Sequence, residues 1–309
     1  KNDLILEIAS NDGTFLKPFL EKGYKNILGI DPAKNIAKIA NNRSINTLPE
    51  FWNSSLAEKI LKEHGPAKVV FARNVIPHVS ELLDVVNGIQ IALGDSGVGV
   101  IEFHYSGNIL NELQYDSIYH EHLCYFSIKS MTYLLKRFDL DPFHIEQSPI
   151  SGGALIIYFS RIKKNQTSYL RDAIDRETNL KVNECSSWKN FGKRVIIHKK
   201  RTIDILKSME GKKIIGFGSS ARSQTYLNYC GVTNNHISSI IDNNPMKTGQ
   251  FAPGSSIPII SIEDGMKMRP EIIFILAWNF KNEIINTCKN FGFKGEYLVP
   301  FPSKPFLIN

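Results

Sequence analysis

Twice in this chain a short apolar run breaks into a tight turn of small residues and resumes as a helix. Each time the next apolar run ends on an aspartate. The first instance is Leu4–Ile8, the turn Ala9-Ser10-Asn11-Asp12-Gly13, a helix through Leu20, and Ile27-Leu28-Gly29-Ile30 capped by Asp31-Pro32. A strand, turn, helix and strand with an acid at the second strand's tip is the half-Rossmann plan. Asp12 and Asp31 keep the interval of about 20 residues expected between the turn and a ribose-binding acid. The second instance is Lys213-Ile214-Ile215-Gly216, the turn Phe217-Gly218-Ser219-Ser220-Ala221-Arg222, a helix to about Cys230, and a strand over Ile237–Ile241 followed by Asp242.

Between them the alternation continues. Residues 54–64 predict a helix, Lys68–Ala72 a strand leading to Arg73-Asn74, residues 80–93 a helix, and Val98–Phe103 a strand. A long polar segment over 104–126 precedes a helix at 128–137. Leu140–Gln147 and Ala154–Phe159 predict strands whose connection is too short for a parallel crossover, so they form an antiparallel hairpin. A parallel sheet ending in such a hairpin is the plan of methyltransferases that use S-adenosylmethionine. From Arg161 to about Glu210 the chain is helical and charged. No aromatic residues interleave with its basic run, so it reads as a solvated linker and not a nucleic-acid surface. Strands at Ile272–Leu276 and near Tyr297-Leu298-Val299, with a helix over 280–290, complete the second unit. The expected fold is α/β: a class I methyltransferase Rossmann-like domain over 1–160, then a helical linker and a smaller Rossmann-like domain over 161–309.

At 309 residues and 42% hydrophobic the chain is long and apolar enough to bury two cores. It has no run of about 18 apolar residues, which argues against a membrane span, and no signal-peptide pattern. Cys124, Cys185, Cys230 and Cys288 are far apart, so neither a zinc knuckle nor a disulfide framework is readable, and a reducing cytoplasm is the expected compartment. The net charge of +7 suits an anionic ligand such as a nucleotide-sugar and equally an inert basic surface. The chain opens on Lys1, with Leu4-Ile5-Leu6 already reading as a buried strand, so an upstream segment is expected to be missing.

The first turn places Ala9, Asn11 and Gly13 where a dinucleotide fingerprint has three glycines, a poor cradle for a pyrophosphate. S-adenosylmethionine has no pyrophosphate, and Glu7, Gly13 and Asp31 suit its amino-acid end and its ribose. The second turn, GxGxxA in form, is closer to the dinucleotide pattern. Its helix start, with Ser219, Ser220 and Arg222, reads as an anion site, with phosphate contact to a substrate ranked above NAD. Tyr119-His120-Glu121-His122 concentrates titratable groups in one loop, a candidate for acid/base chemistry as well as a plain solvated loop. His78, just past the fourth strand's carboxyl end, faces the expected ligand crevice or caps the helix near Ser80; His104 ends the fifth strand in the same way.

Taken together, these residues resemble the nucleotide-sugar C-methyltransferases of deoxysugar biosynthesis. The matching stretches are Glu7 to Gly13, Gly29-Ile30-Asp31-Pro32, Asn74 to Val79, Tyr119 to His122, Ser151-Gly152-Gly153, and Gly216 to Ala221 through Leu227-Asn228-Tyr229. The resemblance implies S-adenosylmethionine as cofactor, held by Glu7, Ala9, Asn11, Gly13, Asp31 and Asn74. It implies a nucleotide-linked keto-deoxysugar as substrate, gripped without NAD by the second domain through Ser219, Ser220 and Arg222. It further implies His122 as the base that forms an enolate, Tyr119 and Glu121 orienting it or the sugar, and His78 hydrogen-bonding the sugar or helping to stabilise the enolate. No metal is required. Two departures stand out: the sequence holds no counterpart of the family's amino-terminal zinc-binding domain, so either it is a fragment or this member lost that domain, and Arg222 stands where the family often has lysine. Rival readings are a sugar O-methyltransferase on the same scaffold and a non-catalytic ligand-binding protein. A nicotinamide oxidoreductase ranks last, because its turn lies in the second domain and the proton-transfer loop is expected in the first.

Overall fold

The computed structural model describes residues 1–309, the side chain of Ser151 excepted. The chain forms two units. Unit 1 comprises Lys1–Ser106 and Leu123–Asn183; unit 2 comprises Gly107–His122 and Glu184–Asn309.

Unit 1 is built from β1 (Leu4–Ile8), α1 (Lys17–Glu21), β2 (Ile27–Ile30), α2 (Lys34–Asn42), β3 (Thr47–Leu48), α3 (Ser54–His64), β4 (Ala67–Arg73), α4 (Leu82–Ala92) and β5 (Leu93–His104). After an excursion that begins in α5 (Ser106–Glu112), it resumes with α6 (Ile128–Lys136), β6 (Asp141–Ser148), β7 (Ala154–Ser160) and α7 (Ser168–Asn179). The strand order is β3-β2-β1-β4-β5-β7-β6, with β7 antiparallel to both neighbours and the other pairings parallel. Every residue of β1 is buried, as expected of a central strand covered on both faces. Gly29 on β2 permits this packing: a Cβ there would stand 2.4 Å from Ser10 Oγ and 2.9 Å from Thr47 Oγ1. The excursion leaves and returns at one neck, where the Ser106 N–H donates to the Phe126 carbonyl at 2.9 Å.

Unit 2 contains α8 (Cys185–Ser208), β8 (Ile214–Phe217), α9 (Ala221–Cys230), β9 (Ile240–Ile241), β10 (Ile259–Ile260), α10 (Ile262–Lys267), β11 (Ile272–Ile275), α11 (Lys281–Asn290), β12 (Glu296–Val299) and β13 (Phe306–Ile308). Its six-stranded sheet runs β10-β9-β8-β11-β12-β13, parallel except for the last strand. The glycines of its first turn have a packing reason. A Cβ on Gly218 (φ +95°) would lie 2.4 Å from the Ala277 Cβ, and one on Gly216 would lie 2.8 Å from Leu276 Cδ1. Both are needed for the close approach of the chain that follows β11, whatever the turn binds.

A single cut near residue 160 does not describe this division. The segment after the hairpin stays with unit 1 because Glu177 on α7 accepts from the Ile128 and Lys129 N–H groups, at 2.6 and 3.0 Å, and so caps α6. The loop with Tyr119, Glu121 and His122 goes with unit 2, not with the domain expected to hold it. The expected linker is two helices, α7 and α8, one in each unit.

Candidate active site

The turn after β1 takes an unusual backbone. Ala9, Asn11 and Gly13, the three fingerprint positions, have φ of 56°, 52° and 78°. An L-residue in this region costs about 1–2 kcal/mol, so Ala9 holds a conformation that nothing in its own chemistry favours. Asp31 braces the turn from below: its carboxylate accepts from the Asn11 N–H at 2.9 Å and from the Ala33 N–H at 3.0 Å. Gly13 is fixed by space as well as by φ, since a Cβ would stand 2.7 Å from Ile45 Cδ1.

Over this turn opens a cleft of about 680 Å³, lined among others by Glu7, Ala9, Asn11, Arg73, Asn74 and Glu102. Four of the six expected cofactor residues therefore meet in one place, and the other two, Gly13 and Asp31, support its floor. Asn74 at the end of β4 is a further left-handed residue (φ 50°), its N–H held by the Glu102 carbonyl at 2.9 Å. Arg73, Glu102 and Phe15 were not expected. Glu102 had a signal, a lone charge inside the apolar run Val98–Phe103; Arg73 was noted only as the end of a strand.

The cleft's electrostatics centre on one cation between two acids. Arg73 stands 3.7 Å from Glu7 Oε1 and 3.3 Å from Glu102 Oε2, and its guanidinium lies 4.1 Å from the centre of the Phe15 ring. Burial nevertheless pushes the Glu7 carboxyl up to about 8, with Arg73 pulling it down only in part and Asp31 adding to the rise. Glu7 Oε2, Ser10 Oγ and Glu102 Oε1 are buried with no hydrogen-bond partner. Buried acceptors without donors are expected to meet a ligand that carries donors or positive charge. S-adenosylmethionine carries an ammonium and a sulfonium, so the residues present fit it.

In unit 2 the Tyr119–His122 loop closes on itself. His122 Nδ1 lies 2.6 Å from the Ser117 carbonyl, and the Tyr119 hydroxyl lies 3.3 Å from His122 Nε2, with the rings 4.3 Å apart. A carbonyl only accepts, so Nδ1 carries a proton, and in the neutral ring Nε2 holds the lone pair. The adjoining Asp116 is buried and accepts two bonds from Arg222, both 2.9 Å, and one from Trp278 Nε1 at 2.8 Å. Arg222 was expected to meet a ligand anion; here it is paired with Asp116. Ser220 caps α9 through the Ser223 N–H, and Ser219 Oγ accepts from Gln224. His78 belongs to unit 1, in the turn Ile76–His78, whose Pro77 carbonyl accepts from the Leu123 and Cys124 N–H groups at 2.8 and 3.2 Å.

Comparison with known proteins finds a family match on each half of the chain. Residues 1–145 match a methyltransferase domain family, and residues 149–302 match the C-methyltransferase C-terminal domain. The C-methyltransferase NovU of Streptomyces niveus is 28% identical over 305 residues, spanning 97% of this chain and 72% of NovU. Solved structures of S-adenosylmethionine-dependent methyltransferases also resemble the chain. One from Anabaena variabilis has a TM-score of 0.41 at 16% identity, covering 51% of this chain and 76% of its own. One from Methanosarcina mazei has a TM-score of 0.41 at 13% identity, covering 53% and 94%. By its two domain matches, the chain belongs to the S-adenosylmethionine-dependent C-methyltransferases, with unit 1 carrying the class I methyltransferase fold. No helix among the described residues is long and apolar enough to cross a membrane.

Proposed function

We propose that the enzyme methylates a carbon beside the keto group of a nucleotide-linked deoxysugar, with His122 as the base. The observation that carries this reading is the fixed tautomer of His122. With Nδ1–H committed to Ser117, Nε2 is the basic atom. A histidine base suits a C–H made weakly acidic by a neighbouring ketone. The proton passes to Nε2, the C–H electron pair spreads onto the ketone oxygen as an enolate, and that pair then forms the new C–C bond. What S-adenosylmethionine supplies when bound is a sulfonium methyl, whose loss leaves a neutral thioether. Glu7, Ala9, Asn11 and Asn74 hold the donor, with Gly13 and Asp31 shaping the turn beneath it. The Tyr119 hydroxyl orients the imidazole; at 3.3 Å its bond is long enough to yield to substrate. His78 and Glu121 hydrogen-bond the sugar. Ser219 and Ser220 contact the nucleotide, near Lys247, whose ammonium lies 2.8 Å from the Ser219 carbonyl. Four unpaired cysteines and this donor suit work in the cytoplasm.

Incubation with methyl-¹³C S-adenosylmethionine and a panel of nucleotide-linked keto-deoxysugars tests the reading. The labelled methyl is expected at the chemical shift of a carbon-bound methyl group. A label at an oxygen-bound shift, or transfer only to sugars lacking a ketone, would overturn it.

A further inference from the structure

The base loop is pinned one residue from the carbonyl that sets its tautomer. Ser117 gives His122 its acceptor, and the neighbouring Asp116 is among the most tightly bound side chains of unit 2, 1% exposed with three donors on its carboxylate. The Arg222 guanidinium that supplies two of those donors lies 5.1 Å from the Trp278 ring that supplies the third, so the clamp is braced within itself. On the other side, the Tyr115 hydroxyl donates to His198 Nδ1 at 2.9 Å, and His198 Nε2 donates to the Pro300 carbonyl at 2.8 Å. Ser117 is tied in as well: its N–H and its hydroxyl both donate to the Gln114 carbonyl, at 3.1 and 2.6 Å. Tyr115 and Asp116 are thereby fixed by α8, α9 and the chain following β11 and β12, and Ser117, the next residue, is fixed by its own turn. Stability alone needs no such bidentate, charge-neutralising contact at a residue adjoining the imidazole's partner. A buried ion pair is weak evidence for stability and is better attested as a device for fixing one geometry.

We propose that Asp116, Arg222 and Trp278 are positioning residues for His122: by fixing the Ser117 carbonyl they hold the imidazole in the Nδ1–H tautomer and keep Nε2 as the basic atom. This assignment rests on His122 being the base, and it replaces the anion-binding role expected for Arg222. The two roles predict opposite kinetics. A substrate anchor lost in Arg222→Lys raises KM for the sugar nucleotide and leaves kcat near its starting value. A positioning clamp loosened by the same change lowers kcat by about 10–100-fold, the range typical when support behind an active group is removed, with KM little changed.

The experiment compares the full chain with Arg222→Lys, Trp278→Phe and His122→Gln. It reads kcat and KM separately, alongside ¹⁵N NMR of histidine-labelled protein in which the His122 resonances are those lost in His122→Gln. The expected result is an Nδ1–H tautomer in the parent protein and, in both clamp variants, a shift towards the Nε2–H form with the fall in kcat. Trp278→Phe removes one hydrogen bond and keeps a ring, so it decides the matter should Arg222→Lys fail to fold. A KM effect alone, or parental kcat and tautomer in a folded clamp variant, overturns the proposal while leaving His122 as base. Parental activity in His122→Gln overturns the base assignment itself.

Discussion

Arg73 stands 3.7 Å from Glu7 at the mouth of β1, and yet the Glu7 carboxyl is pushed up to about 8 from an ordinary value of 4.5. The reason is competition: Arg73 is shared with Glu102 and stacked on Phe15, while Glu7 is almost wholly removed from water. Desolvation therefore outweighs the single ion pair. A cationic donor beside Glu7 favours the carboxylate, so binding releases a proton. S-adenosylmethionine affinity is expected to rise with pH towards about 8 and level off above it, by up to about tenfold per pH unit. Calorimetry in buffers of different ionisation enthalpy checks this, and Glu7→Gln should remove the slope.

The same carboxyl sets the sign of the ligand-free enzyme's stability. The unfolded chain ionises Glu7 near 4.5 and the folded chain near 8, so the folded state holds the extra proton between them. The contribution is fully present below 4.5 and is lost as pH rises through 8. Denaturant unfolding at stepped pH should show stability falling over this window, and less so in Glu7→Gln.

Asp31→Ala removes the acceptor of both the Asn11 and the Ala33 N–H groups and leaves the left-handed turn unbraced. S-adenosylhomocysteine affinity is expected to fall by at least about tenfold, equivalent to about 1.4 kcal/mol. Unchanged affinity would mean that the donor does not depend on this turn.

Glu177→Ala should destabilise the protein by about 2–3 kcal/mol, because the caps of the Ile128 and Lys129 N–H groups are lost from a buried site. Thermal unfolding followed by circular dichroism measures this.

The donor half was legible because its signals are local. Leu4–Ile8, the turn and Asp31 lie within one strand–helix–strand unit, and the closing hairpin betrayed itself by its short connection. β3 and β10, two of the three two-residue strands, leave no periodicity to read. The ownership of the Tyr119–His122 loop was hidden for another reason. Asp116 meets Arg222 across 106 residues and Trp278 across 162, and no local pattern announces such a pairing. Arg222 reads as an anion ligand from its place at a helix start after a glycine turn, and its pairing with Asp116 was not legible because that carboxylate stands in a loop that read as part of the other domain.

The most direct test of the account is deuterium wash-in at the carbon beside the ketone, followed by NMR in D₂O with S-adenosylhomocysteine bound so that methyl transfer cannot occur. The parent enzyme should exchange that proton, and His122→Gln should slow exchange by about 100-fold or more. Exchange at the parental rate in His122→Gln would contradict the assignment of His122 as the base.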